Sequence, residues 1–471
     1  MTLPINIAVQ WQATTTDGRG NVTSYGYDAA GRVTSVSYPD GTNDGTRYDR
    51  NGNRTLVTTR NNVTTSYVYD AVNRLLETHD GNFGAKLNTT TYDAAGQVLT
   101  SKDGDNNVTT YAYDDAGRRT SVTDALNHVT TFGYDAAGNQ TSVTDANSHT
   151  TSYLYDAANR RTQVTYPDAN FETTTYDALG RVSSRTDANG KTTQYGYDAL
   201  GRLTSVTDAL NQVTSYGYDE VGNRITQTDA NQHTTSYAYD QRGRRLQRTL
   251  PLGQTESYTY DPNGNVATRT DFNGRTTTYA YDSANRLLTK TADPYFATNH
   301  IGSAQVSYTY NRFGQRSTMT DISGTTSWIQ YDSRGRVQQQ SGPAGGYNYV
   351  YDFAGNLTHI GNTSYGYDAL NRLSTVTALV AGNFPTVAAY AYDNVGNLQS
   401  VTYANGVVHS YAYDNRNRLN NLGVTKSSAN LFGYAYTVDA AGHRTSVTEQ
   451  SGPTVNYSYA DWMKASAPSS E

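Results

Sequence analysis

A period of 21 residues governs this chain. The stretch "TSYGYDAAGRVTSVSYPDG" over Thr23–Gly41 returns as "TQYGYDALGRLTSVTDALN" over Thr193–Asn211. Each copy can be marked by the Asp after its second Tyr: Asp28, Asp49, Asp70, Asp93, Asp114, Asp135, Asp156, Asp177, Asp198, Asp219, Asp240, Asp261 and Asp282. Eleven of those twelve steps are 21 residues and one is 23. Asn311, Asp332, Asp352, Asp368, Asp393, Asp414 and Asp439 follow at steps of 29, 21, 20, 16, 25, 21 and 25, which makes 20 copies. Repetition at fixed period means that each copy is a small unit stabilised by its neighbours in a row.

Three residues after every marker stands Gly or Asn, including Gly31, Asn73, Gly96, Gly138, Asn159, Gly180, Gly201, Gly222, Gly264 and Asn285. A position restricted to these two types is one that needs positive φ. "DAAG" and "DALG" therefore read as type I turns closed by a left-handed residue and a bulge, with Asp accepting nearby N–H groups. Thr- and Tyr-rich segments precede the turn and "GRLTSVTD" (Gly201–Asp208) follows it, both suited to strands. A second turn comes next, such as "DANG" at Asp187–Gly190 or "DALN" at Asp124–Asn127. Each copy is then two antiparallel strands and two turns, and no window carries a helical period with caps. The expected fold is all-β, a meander of roughly forty strands.

Forty strands at ~4.8 Å spacing would make a strip ~190 Å long and ~20 Å wide. Open sheets of that many strands curl or split, so the strip must coil. Composition favours a hollow coil. Only 36% of residues are apolar and mean hydropathy is -0.71, yet 42 tyrosines and a charged fraction of 17% set the chain apart from disordered ones. Tyr195 and Tyr197 share a strand face, whereas Leu203 and Val206 fall on opposite faces by simple alternation unless a bulge intervenes. Thr, Ser, Asn and Gly cannot fill a core at crystal-like density. A wall held by tyrosine ladders fits better, with Tyr25, Tyr27, Tyr67, Tyr69, Tyr153, Tyr155, Tyr195, Tyr197, Tyr216 and Tyr218 stacked across neighbouring strands.

A sequence pI near 5.8 and net charge of -6, without a basic stripe, argue against nucleic acid as a partner. No apolar run approaches the ~20 residues of a membrane span. Met1–Gln10 shows no basic n-region and no long h-region, so no signal peptide is expected. Without Cys, disulfides and thiolate metal sites are excluded.

The recurring "YGYDAAGR", "YAYDSANR" and "YDALGRLTSVTDALN" resemble the YD repeats of Rhs proteins, of the C components of insecticidal Tc toxins and of the teneurin extracellular region. The resemblance spans Thr16–Ala460, with 18 Tyr-Asp dipeptides at the marker positions. It implies a spiralling β-sheet that forms a hollow cocoon. In bacterial members of the family the cocoon encloses a toxic C-terminal polypeptide; in teneurins it is a scaffold for adhesion. The chain lacks the "DPxG"-type ending and self-cleavage site of complete Rhs proteins, and "DPNG" at Asp261–Gly264 reads as an ordinary turn. "NHIGS" at Asn299–Ser303, inside the 29-residue step, is faintly similar to the "HLGS" of Rhs core regions and is expected to be a loop.

Other constellations reduce to turn chemistry. His128 and His149 occupy the same turn in successive copies, ~10 Å apart, whereas ligands of one zinc lie within ~2.1 Å of it; exposed turn residues are expected. "DRNGN" (Asp49–Asn53) and "DGDNN" (Asp103–Asn107) lack the spacing of a calcium loop, with Val108 where Gly is required. Asp28 with Arg32, and Asp198 with Arg202, read as cross-turn ion pairs worth at most ~1 kcal/mol. No nucleophile elbow, P-loop or dinucleotide motif is present, so no catalytic residue, metal or cofactor is expected.

The organisation expected is a partial repeat over 1–15, a regular array over 16–290, irregular repeats with longer loops over 291–460 and a loose tail over 461–471. "WQATTTDGRG" begins in mid-repeat, so the cocoon is expected to be incomplete and open at both ends, with unpaired strand edges that invite plug or cap segments. The function expected is that of a non-catalytic shell, secreted or surface-associated in a bacterium, around a toxin or other cargo polypeptide. The alternative is a surface adhesin that takes a glycan or cell-surface receptor. Closed ends would favour the shell and exposed aromatic clusters the adhesin.

Overall fold

The computed structural model describes residues 12–81, 84–299, 304–380, 382–450 and 452–458. The expected tail at 461–471, most of the partial repeat at 1–15, and "NHIGS" beyond Asn299 lie outside the described residues. Among those described, the chain is all-β, with 42 strands and a single helix, Pro294–Thr298. That helix is a departure from the expectation of none, and it sits in the 29-residue step. Asp293 caps it, accepting from the Tyr295 N–H at 2.9 Å, and Pro294 occupies the first helical position, where its missing N–H is no loss.

One copy shows how the sequence builds a strand pair. Strands Thr192–Tyr197 and Leu203–Thr207 pair with Tyr195 opposite Val206, Gly196 opposite Ser205 and Tyr197 opposite Leu203. The register shift between Gly196 and Tyr197 leaves Thr204 as an extra residue, a β-bulge. The bulge settles the alternation left open by the sequence: Leu203 and Val206 join Tyr195 and Tyr197 on one face. The opposite face carries small residues. A Cβ on Gly196 would lie 2.3 Å from Ser205 Oγ, and the copy with Thr175 there hydrogen-bonds Ser184 at 2.7 Å instead. The next strand, Val213–Tyr218, pairs without a bulge. The same bulge beside the marker turn recurs in other copies.

The chain divides into two compact units, one from Met1–Thr91, Lys102–Asp105 and Asp240–Gly361, the other from Tyr92–Ser101, Asn106–Tyr239 and Asn362–Glu471. In the first, successive strands pair antiparallel from Thr14–Thr16 to Lys86–Tyr92 and again from Arg245–Thr249 to Leu357–Ile360. In the second they do so from Val108–Tyr113 to Thr234–Tyr239 and from Thr363–Tyr367 to Thr454–Asn456. Each unit thus holds an N-terminal and a C-terminal arc of the same meander.

Neither unit has a conventional core. Among the described residues, the buried apolar side chains are Ala388, Val401 and Val424. Tyrosines and threonines are half-buried along the strands. The stabilising surface is consequently spread through the sheet, copy by copy.

Candidate functional site: the turn clasp and the seam between arcs

Every marker Asp organises its turn. In the copy at Asp198, one carboxylate oxygen accepts the N–H groups of Leu200 and Arg202 at 3.0 and 2.9 Å, and the other accepts Arg202 Nε at 2.7 Å. The Gly201 N–H closes the turn on the Asp198 carbonyl at 3.0 Å, with φ 83° at Gly201. The Arg202 side chain, then its backbone N–H, hold the Asp198 carboxyl below the usual carboxylate range.

The arginine also reaches forward. Its guanidinium lies 4.9 Å from the ring centroid of Tyr218 in the next copy, and Nη1 donates to the Asp219 carbonyl at 2.9 Å. The Tyr218 hydroxyl reaches back to the Leu203 carbonyl at 2.8 Å. Asp198, Arg202 and Tyr218 form a closed clasp that ties this copy to the next. The same clasp joins Arg32 to Tyr48, with the ring at 4.5 Å and the hydroxyl bond to Val33 at 3.0 Å. It also joins Arg118 to Tyr134, at 4.9 Å with a 2.9 Å bond to Arg119.

The turn positions singled out in the sequence lie at these clasps. Gly31, Gly96, Gly138, Gly180, Gly201, Gly222 and Gly264 have φ between 80° and 97°, and Asn73, Asn159 and Asn285 have φ of 67°, 61° and 62°. Of the tyrosines, Tyr27, Tyr69, Tyr155, Tyr197 and Tyr218 donate to the carbonyls of Gln12, Arg54, Gln140, Val182 and Leu203 in the preceding copy. Tyr25 bonds Thr15 at 3.2 Å, while Tyr153 and Tyr216 lie beneath Arg161 and Arg224 at 5.3 and 5.7 Å. Tyr67 stands opposite Thr78, and Tyr195 opposite Val206.

The geometry differs from ring-on-ring stacking. Corresponding rings in successive copies are two strands apart, ~10 Å, too far to touch. In copies with Arg four residues after the marker, that arginine fills the gap and alternates with Tyr. The recurring Arg four residues after the marker was the available signal, because it can pair with its own Asp and with the following ring at once.

His128 and His149 are turn residues, but they are less exposed than expected. His128 and His149 are partly buried beside the Asp that heads their turn, at 3.0 and 3.6 Å. His79 is buried between Glu77, at 2.9 Å, and the Gly84 carbonyl, at 3.1 Å. The second turn brings an imidazole back onto its own Asp wherever His stands four residues later.

Within each unit the second-turn edge of the N-terminal arc meets the marker-turn edge of the C-terminal arc, across 242 to 263 residues of sequence. In the first unit, Asn263 donates to Asp17 at 2.7 Å, Arg19 pairs with Asp261 at 3.0 Å, and Arg19 caps the Asp282 carbonyl at 3.0 Å. Gly18 sits so close that a Cβ would lie 2.3 Å from the Pro262 oxygen. Further along the same seam Asp40 takes Arg286 at 3.3 Å, Asp80 takes Ser333 at 2.6 Å, and Asp105 takes the Ala354 N–H at 2.9 Å. In the second unit Asn147 bonds Asp393 at 3.2 Å, Asp168 takes Arg416 and Arg418 at 3.5 and 3.3 Å, and Asn189 bonds Asp439 at 2.9 Å. Marker carboxylates therefore serve twice, inside their own turn and across the seam.

The chain resembles known proteins in sequence and fold. The RHS Repeat family model matches residues 176–213, 197–234, 218–255, 239–276, 260–295 and 392–430. The Teneurin YD-shell model matches residues 2–166. Among solved structures, that of TcdB2-TccC3-TEV aligns with 96% of this chain and 32% of its own, at 13% identity and a TM-score of 0.75, a likeness of fold. The Photorhabdus luminescens Tc holotoxin pore aligns over 93% of this chain and 28% of its own, at 17% identity and a TM-score of 0.47. The chain spans about a third of the length of the first of these. A comparison with curated proteins finds no match.

Proposed function

Because this chain is a YD-repeat, Rhs-type shell protein, we propose that it is a length of non-catalytic wall enclosing a cargo polypeptide, such as a toxin, in a secreted bacterial system. The observation that carries this reading is the seam. Side chains at the turns are spent on closing edge against edge, and the marker residues that could serve as acids, bases or nucleophiles are committed to turns and clasps. A wall built this way acts sterically: a polypeptide behind it cannot reach its target, and the half-polar surface gives it no template for a core of its own.

The partner in this reading is the enclosed chain, with plug or cap segments at the ends of the wall. The test is protease protection. A disordered, protease-sensitive reporter fused after Glu471 should be digested at least tenfold more slowly than the same reporter free in solution. Digestion at equal rates would overturn the reading, and retention on a glycan array would then favour surface adhesion.

A further inference from the structure

Two copies combine an acidic residue five positions before the marker with an Arg eight positions after it: Glu256 with Arg269, and Glu172 with Arg185. In the first the pair is closed. Glu256 is 4% exposed and accepts Nε and Nη2 of Arg269 at 2.9 and 2.7 Å. Tyr258 stands opposite Arg269 and takes Arg245 on its hydroxyl at 3.1 Å.

In the second copy both side chains are present, but the tyrosine and the closed pair are not. Thr174 stands opposite Arg185 where the tyrosine would be. Glu172 lies near Tyr166 and helps to raise its hydroxyl. Among the described residues, no carboxylate lies within ion-pair distance of Arg185. A cleft of about 370 Å³ occupies the place, lined by Arg161, Glu172, Thr174, Arg185, Thr193 and Tyr195 and walled at one end by Ala441 and His443 of the C-terminal arc. Thr193 is only 8% exposed. Lys191 and Asp187 also line it, the latter accepting the Asn189 and Lys191 N–H groups at 2.9 and 2.8 Å.

We propose that this cleft binds a six-membered ring bearing a carboxylate. The ring takes the room of the absent tyrosine, against Tyr195, and the carboxylate gives Arg185 what Glu256 gives Arg269. The guanidinium fork suits a carboxylate in two-point contact, and the volume lies in the range of small-ligand sites. Sugar acids and aromatic acids share this chemistry.

Ligand-observed NMR on the whole chain with D-glucuronate, 4-hydroxybenzoate and neutral D-glucose tests it. At least one acid should bind, with glucose at least tenfold weaker, and the preferred acid identifies the source. Thr174→Tyr, which restores the residue most copies carry, should abolish binding, and Arg185→Gln should weaken it at least tenfold, in variants whose circular dichroism matches the parent. Absence of acid binding, or binding that survives either substitution in a folded variant, overturns the proposal.

Discussion

Arg418 reaches the Asp168 carboxylate at 3.3 Å across 250 residues of sequence, while the neighbouring Arg416 lies 3.6 Å over the ring of Tyr166. Tyr166 heads a "YPD" turn in place of the usual Asp, and burial, then its bond to Glu172, push its hydroxyl up to about 12. The first unit repeats the device. Tyr38 lies under Arg60 at 4.4 Å, bonds Asp44 at 2.6 Å, and is likewise pushed up to about 12, while Asp40 holds Arg60 and Arg286 at 2.9 and 3.3 Å. Among the described residues, each unit has one such turn, placed at its seam.

Asp168→Ala should remove the carboxylate that both arginines share across the seam and loosen the second unit's seam, at a cost of about 1–3 kcal/mol. Hydrogen exchange is the measurement. Protection should fall at the Asp414–Arg418 turn and stay unchanged at turns away from the seam, such as Asp198–Arg202.

Gly201→Val should lower stability by a few kcal/mol, because φ at Gly201 is 83° and a β-branched residue is strained there. Gly201→Asn should be nearly neutral, as Asn73 and Asn159 hold the equivalent position at φ 67° and 61°. Thermal midpoints of the two variants decide; equal effects would contradict the turn geometry.

Gly18→Ala acts through space, not φ. Its Cβ would meet the Pro262 oxygen at 2.3 Å, and backbone cannot yield cheaply. Faster proteolysis within the Asp261–Gly264 turn is the expected outcome.

The clasp can be dissected at Arg202 and Tyr218. Tyr218→Phe removes a hydrogen bond and should cost about 1 kcal/mol. A double-mutant cycle of Tyr218→Leu, which removes the ring, with Arg202→Gln should return a coupling of about 0.5–1 kcal/mol from the cation–π contact; zero coupling would show that the ring and guanidinium are merely adjacent.

Acid should undo the turns together. The carboxyls of Asp28, Asp198 and Asp240 lie below the ordinary carboxylate value, each chiefly through its own arginine, and Asp17 is lowered to about 2, chiefly by Asn21. A depressed folded-state value contributes stability that is fully present above the unfolded value of about 3.9 and is lost as pH falls through the folded one. The thermal midpoint should therefore hold from about pH 7 to pH 5 and drop below about pH 4. A midpoint level down to pH 2 would show that these carboxylates contribute nothing.

The Asp–Gly register was readable because everything that sets it, from Asp198 to Arg202, lies within five residues. The bulge at Thr204 was not, since alternation in one strand is silent about how many residues oppose it. Arg202 was read as a partner for Asp198 alone, although its recurrence 16 residues before Tyr218 was in view; the contact needs two copies side by side. The cleft at Thr174 left its mark as a missing tyrosine, but only the contrast with the closed Glu256–Arg269 pair gives that absence meaning.

Local chemistry thus fixed the hairpin, the turn residue and the order of strands, since each depends on contacts within one copy. Which edge meets which, and that Asp17 would find Asn263 or Asp168 find Arg418, was decided by tertiary structure. The twist added by each strand pair is small and is set by packing along the whole row, so its sum over many copies is written in no single one of them.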